Sequence, residues 1–130
     1  MKTQENTKGK ANGSQKDIEA ISSVIQSYSE GGRKGDASIM KQAFRKNAII
    51  HGYIGGNLLA GPIKILYDWV ESNPPSPKLD VKITNIDVAN TIATARVEST
   101  GWLGNRFTDQ FTLLKENESW IITSKVFHTH

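Results

Sequence analysis

Between Arg106 and His128 the chain carries its longest clean strand pattern, and that pattern limits what the rest can fold into. From Phe107 the odd positions read Phe107, Asp109, Phe111 and Leu113. Alternate side chains of a strand share a face, so Asp109 is predicted to point where the phenylalanines point. Glu116-Asn117-Glu118-Ser119 supplies a polar turn, and Trp120 to Phe127 returns as a run of β-branched and aromatic residues. Apolar groups occupy both parities of this return run. That is the pattern of a strand covered on both sides, by a core on one and by a helix or second subunit on the other. A carboxylate on an apolar face must be hydrogen-bonded, paired or protonated. Two readings of Asp109 follow. It bonds Lys125 or Arg96 across the sheet or lies at an exposed sheet end, or it is a hydrogen-bonding, proton-sharing group inside a pocket.

A chain of 130 residues is expected to form one domain with a real core and no need of staples. It has no cysteine, which removes disulfides, thiolate nucleophiles and cysteine-based zinc sites. No run approaches the ~20 apolar residues of a bilayer span, and the N-terminus lacks the apolar stretch of a secretory signal. A soluble, cytoplasmic protein that engages no membrane is the expectation. The net charge of +3 is local: Lys2, Lys8, Lys10 and Lys16 face only Glu5 in residues 1–16, and charges balance in residues 17–130. A fold without a basic stripe is not expected to bind nucleic acid. Residues 1–16 are polar and expected to be disordered, with residues 17–130 forming the single domain.

Ser14-Gln15-Lys16-Asp17 has the form of a capping box, followed by Ile18, Ile21, Val24, Ile25 and Tyr28 on one helical face. Gly31-Gly32 is predicted to end this helix. A short second helix starts at Asp36 and buries Ile39, Met40, Ala43 and Phe44, with Arg45 and Lys46 at its C-terminal end. Asn47 to Tyr53 reads as a strand, and Gly55-Gly56-Asn57 as a turn. Gly61-Pro62 is predicted to open a third helix with Ile63, Leu66, Tyr67 and Val70 on one side, stopped by Asn73-Pro74-Pro75-Ser76-Pro77. Beyond it Leu79, Val81 and Ile83 alternate, and the phase slips to Ile86 and Val88 as a bulge at Thr84-Asn85 would make it. Asn90 marks a tight turn into Thr91 to Ser99, and Thr100 to Asn105 links to the final hairpin. The predicted order is α-α-β-α-β-β-β-β, an α+β fold with helices against one face of a bent sheet.

Tyr28, Gly35-Asp36, Phe44, Asn47-Ala48, Thr108-Asp109-Gln110-Phe111 and Ser119 to Phe127 together resemble the nuclear transport factor 2-like superfamily over residues 17–130. Asp109 to Lys115, followed by Trp120, Ile122 and Lys125-Val126-Phe127, is most similar to its putative lumazine-binding branch. The resemblance implies a curved mixed sheet wrapped as a cone around the N-terminal helix, with a pocket inside, and homodimers joined through the sheet. It also implies a comparison with the superfamily's steroid isomerases, in which Tyr28 matches the helix tyrosine and Asp109 the neutral acid, a pair of oxyanion donors. The isomerase base falls on Gly52 and is missing. His51 is adjacent, but one step along a strand changes face.

The pocket is accordingly expected among Tyr28, Gly52, Trp69, Trp102, Asp109, Trp120, Val126 and His128. His128 shares parity with Ile122, Ser124 and Val126 and looks into the cone, or else it is an end-of-strand histidine in solvent. Trp69 and Trp102 line the mouth or a contact surface, while plain packing is the alternative for Trp69 and Trp120. His51, Tyr53, His128 and His130 lack the spacing of a metal site, so no metal is expected, and no cofactor motif is present. Donors without a base favour a non-catalytic small-molecule binder. The alternatives are an isomerase, hydrolase or dehydratase using His128 or His51 as base, and a dimeric module without ligand. A homodimer contact is expected on Ile121, Thr123 and Phe127.

Overall fold

The structure, a computed structural model, describes residues 9–130. In chain order come β1 (Lys10–Asn12), α1 (Gln15–Lys34), α2 (Ala37–Met40), a 3₁₀ turn (Lys41–Ala43), β2 (Phe44–Ile54), β3 (Asn57–Pro62) and α3 (Lys64–Glu71). Then follow β4 (Asp80–Ala89), β5 (Ile92–Trp102), β6 (Asn105–Glu116) and β7 (Ser119–Thr129). One sheet runs β1-β4-β5-β6-β7-β2-β3, antiparallel except at β1–β4 and β2–β7. The sheet is curled but not closed, and the fold is α+β as expected. Two strands, β1 and β3, add to the predicted order. β1 corrects the expectation of disorder through residue 16, since Lys10–Asn12 pairs with Asn85–Asp87 and Asn12 donates to Asp87 at 2.8 Å. The rest of that expectation, on residues 1–8, lies outside the described residues.

α1 starts as its sequence predicts, with the Ser14 hydroxyl accepting from the Asp17 backbone N–H at 3.1 Å. It does not stop at Gly31-Gly32. The helix continues to Lys34, and Gly35, left-handed at φ 63°, closes it with bonds back to Gly31 and Gly32. The two glycines serve close approach instead: a Cβ on Gly31 would stand 2.7 Å from Met40 Cβ, and one on Gly32 would stand 2.7 Å from Leu79. Ile21, Ile25 and Tyr28 form the buried stripe. Asp36 caps α2, but Arg45 and Lys46 belong to β2, where Arg45 pairs with Glu116 at 2.9 Å. Pro62 likewise ends β3, and α3 begins after Ile63.

Bulges in β4, β5 and β7 bend the sheet around α1, beside a further register shift of β2 against β7 between Phe44 and Ile49. In β4 the register shifts between Ile83 and Asn85, where the phase slip placed it. In β5 it shifts between Ser99 and Trp102, at Gly101 with φ 76°. Trp102 is thereby a strand residue and buried, where a loop was expected. In β7 Thr112 faces Ser124 while Leu113 faces Ile122, so Thr123 is the extra residue. Both Thr123 and Ser124 hydroxyls meet Thr112 Oγ1, at 2.8 and 2.6 Å, on one side of the sheet.

That third bulge corrects the two-sided reading of β7. Trp120 and Ile122 point inward, and after the extra residue Lys125 and Phe127 do so too. Val126 and His128 are exposed on the other side, and Phe127 cannot belong to an outward contact face. Apolar residues of both parities therefore serve a single core.

Candidate functional site

Tyr28 and Asp109 meet inside the core. Tyr28 closes the inward stripe of α1, Asp109 lies between Phe107 and Phe111 on the inward parity of β6, and both are 0% exposed. The phenol donates to Asp109 Oδ2 at 3.0 Å. Burial, reinforced by the Asp109 charge and by this hydrogen bond, pushes the Tyr28 phenol well above its ordinary value of 10.0. It is held as a donor.

The third member is Lys125, 4% exposed. Its backbone faces Phe111, so its side chain reaches diagonally across the β6–β7 pair. Nζ stands 3.3 Å from Asp109 Oδ1. The distance is that of an ion pair, yet Oδ1 has no aligned hydrogen bond. Four rings surround the ammonium, with centroids at 4.9 Å for Phe127, 5.3 Å for Tyr28, 5.7 Å for Trp102 and 5.9 Å for Phe107. Each ring face is a favourable neighbour for a cation, more so where water is excluded. Of the two partners expected for Asp109, Lys125 is the one in place, while Arg96 binds Glu98 at 3.2 Å.

Beside Lys125 lies a cavity of about 30 Å³, walled by Ile50, Leu66, Trp69, Trp102, Phe107 and Phe127 and reaching the surface at Ile54, which is 39% exposed. Of the described residues that line it, Lys125 alone carries a charge. Tyr28 and Asp109 are not among the lining residues. They sit behind Lys125.

The remaining predicted pocket residues divide. Trp69 and Trp102 line the cavity, with ring centroids 5.5 Å apart. Gly52 faces inward, but Phe127 occupies the space beyond it: a Cβ there would stand 2.4 Å from the ring and 2.5 Å from the Phe127 carbonyl oxygen. An aromatic ring covering a glycine on the neighbouring strand fills the place where the isomerase base would project. Trp120 is buried away from the cavity, donating its indole N–H to Asp17 at 3.0 Å. That bond, more than Lys115 and the Ser14 hydroxyl, holds the Asp17 carboxyl below its ordinary value against the desolvation that raises it. Val126, His128 and His51 are on the exposed side of the sheet, so neither histidine can serve a reaction inside. Among the described residues no three metal-ligating side chains converge, and no helix is long and apolar enough to cross a membrane.

Lys125 as a cavity residue was missed because parity was counted through Thr123. A signal existed: Lys125 is one of the two cations able to pair with Asp109 across the sheet, and an inward Lys125 requires a phase slip after Ile122.

A curled seven-stranded mixed sheet with three helices, the longest at its N-terminal end, is the nuclear transport factor 2-like fold. The chain belongs to the Putative lumazine-binding family, which it matches over residues 16–128. It is 43% identical to a nuclear transport factor 2-like protein of unknown function from Methylobacillus flagellatus KT, over 92% of this chain and 96% of that one, with a TM-score of 0.88. A second such protein of unknown function, from Shewanella baltica OS155, is 39% identical over 92% of this chain and 98% of that one, with a TM-score of 0.85. The aldolase FrzH of a Cladobotryum species is 26% identical over 88% of this chain and 92% of its own length.

Proposed function

We propose that this domain binds a small, mostly apolar molecule bearing one carbonyl or carboxylate oxygen, with that oxygen against the Lys125 ammonium. The observation that carries the reading is a lysine in the wall of an otherwise apolar cavity, its Nζ held beside Asp109 and among four rings, three of which line the same cavity. A volume of about 30 Å³ takes the head of such a molecule; a single water needs ~10–15 Å³. A bicyclic ring as large as a lumazine exceeds it, so the bulk of a larger ligand would rest at the mouth near Ile54 and Leu59. The relative named an aldolase supports a carbonyl group as the feature held.

Tryptophan emission tests the reading, because Trp69 and Trp102 line the cavity. Butanone and cyclohexanone are expected to perturb it at lower concentration than cyclohexane does, and Lys125→Met to remove that preference. Equal response to ketone and hydrocarbon, or none to either, would reject it.

A homodimer is a second proposal, moved from β7 to the exposed side of β3, β2 and β7. Leu58, Tyr53, Ile49 and Val126 are 45–60% exposed there, and the cross-strand pairs Tyr53↔Leu58 and His51↔Val126 place them on one side. Sedimentation is expected to give a dimer at micromolar concentration and a monomer for Val126→Glu; a monomeric wild type counts against it.

A further inference from the structure

We infer that Lys125 is an amine nucleophile that captures small aldehydes or ketones in this cavity as a reversible imine. The inference deepens the binding reading and rests on it. Lysine forms imines with carbonyl compounds when its amine is activated by its surroundings or by an adjacent base. Here Lys125 lines the cavity, its Nζ lies 4.9–5.9 Å from the ring centroids of Phe127, Trp102 and Phe107 in the same wall, and the carboxylate that can take its proton is at 3.3 Å. Asp109 Oδ1 is buried with no aligned hydrogen bond, so it is free to accept one. Oδ2 is fixed by the Tyr28 hydroxyl at 3.0 Å, which orients the carboxylate toward the amine. The walls are aromatic and aliphatic, so a bound carbonyl compound that fills the cavity displaces water from beside the amine and slows hydrolysis of the imine.

The step balances within these groups. Asp109 takes one proton from the Lys125 ammonium, and the nitrogen lone pair attacks the carbonyl carbon. A C–N bond forms as the C=O π pair moves to oxygen, and a proton passes from nitrogen to that oxygen to give the carbinolamine. Asp109 then returns its proton to the hydroxyl, the C–O bond breaks and water leaves. One ammonium and one carbonyl yield one iminium and one water, and nothing is oxidised or reduced.

The test uses the full chain with butanal and cyanoborohydride, which delivers hydride to the iminium carbon and fixes the adduct as a secondary amine. Mass-spectrometric peptide mapping at limiting aldehyde is expected to find Lys125 alkylated roughly tenfold or more faster than any other lysine. Parallel samples without hydride report occupancy through tryptophan emission. Adducts confined to other lysines while emission still responds to butanal overturn the imine and leave the binding reading standing; no adduct at Lys125 and no emission response overturn both. Lys125→Arg, which keeps the charge without a nucleophilic amine, is expected to lose this adduct and keep the emission response. The wild-type map decides the question even if that variant does not fold.

Discussion

Replacing Asp109 by Asn keeps the shape of the side chain and removes its charge, which isolates the electrostatics of the buried cluster. Lys125 and Asp109 are 4% and 0% exposed with 3.3 Å between Nζ and Oδ1, so the substitution leaves an ammonium without its counter-charge. Breaking a buried pair from one side costs about 3–5 kcal/mol. The Tyr28 hydroxyl keeps an acceptor, but a bond to a charged group becomes a neutral one, a further loss of roughly 1 kcal/mol that overlaps the first. Relief comes from the cavity, where about 30 Å³ beside the amine can admit a water. The lower end, about 3 kcal/mol, is therefore expected. In urea at pH 7 that lowers the unfolding midpoint by roughly 1–3 M. The double variant Asp109→Asn/Lys125→Met should recover a large part of the loss, with a coupling of about 2 kcal/mol or more, because neither charge then remains. A single-variant loss below about 1 kcal/mol would refute the reasoning. It would mean that the pair carries no charge to be unbalanced, as the oxyanion-donor reading of Asp109 requires.

Gly52→Ala is expected to destabilise by about 1–3 kcal/mol, since the new methyl meets both the Phe127 ring and its immovable carbonyl oxygen; thermal unfolding close to wild type would show that β2 and β7 separate easily there. At alkaline pH the buried Tyr28 phenol resists ionisation while an unfolded one titrates near 10.0. Its stabilising contribution is thus complete below that value and is lost as pH rises above it toward the folded value. Denaturation from pH 9 to 11.5 should show this slope in wild type and a shallower one in Tyr28→Phe. Tyr67, pushed up to about 12 by burial, adds a smaller share of the same slope. A chain beginning at Ser14 retains the α1 cap but loses β1 and the Asn12–Asp87 bond. Its melting temperature should fall by roughly 2–6 °C, and an unchanged value would show that β1 contributes nothing.

What was legible in the sequence was legible through periodicity and local chemistry. The α1 stripe ending at Tyr28, the Ser14 cap, the Thr84-Asn85 phase slip and the inward parity of Phe107, Asp109 and Phe111 each depend on neighbours within a few residues. The Gly31-Gly32 error has a different origin. Glycine has two uses, a left-handed cap and close backbone approach, and only the positions of Met40 and Leu79, set by tertiary packing, decide between them.

The site shows most plainly how little a parity count can do alone. β7 alternates cleanly from Trp120 to Ile122 and again from Lys125 to Phe127, and the two halves differ only in the extra Thr123. Counted straight through, the strand sends Val126 and His128 inward and yields a pocket with a histidine; counted with the bulge, it sends in Lys125 and yields a pocket with an amine. Local propensity does not separate these outcomes, because threonine and serine suit either strand geometry. The partner strand does separate them. Asp109 is fixed on the inward face of β6 by three aromatic or aliphatic neighbours of the same parity, and a buried carboxylate requires a cation or donors. Tyr28 supplies one donor, and the only lysine of β7 supplies the charge if the strand slips by one residue. The cost of an unpaired charge thus selects the register, and the register determines which side chain meets a ligand.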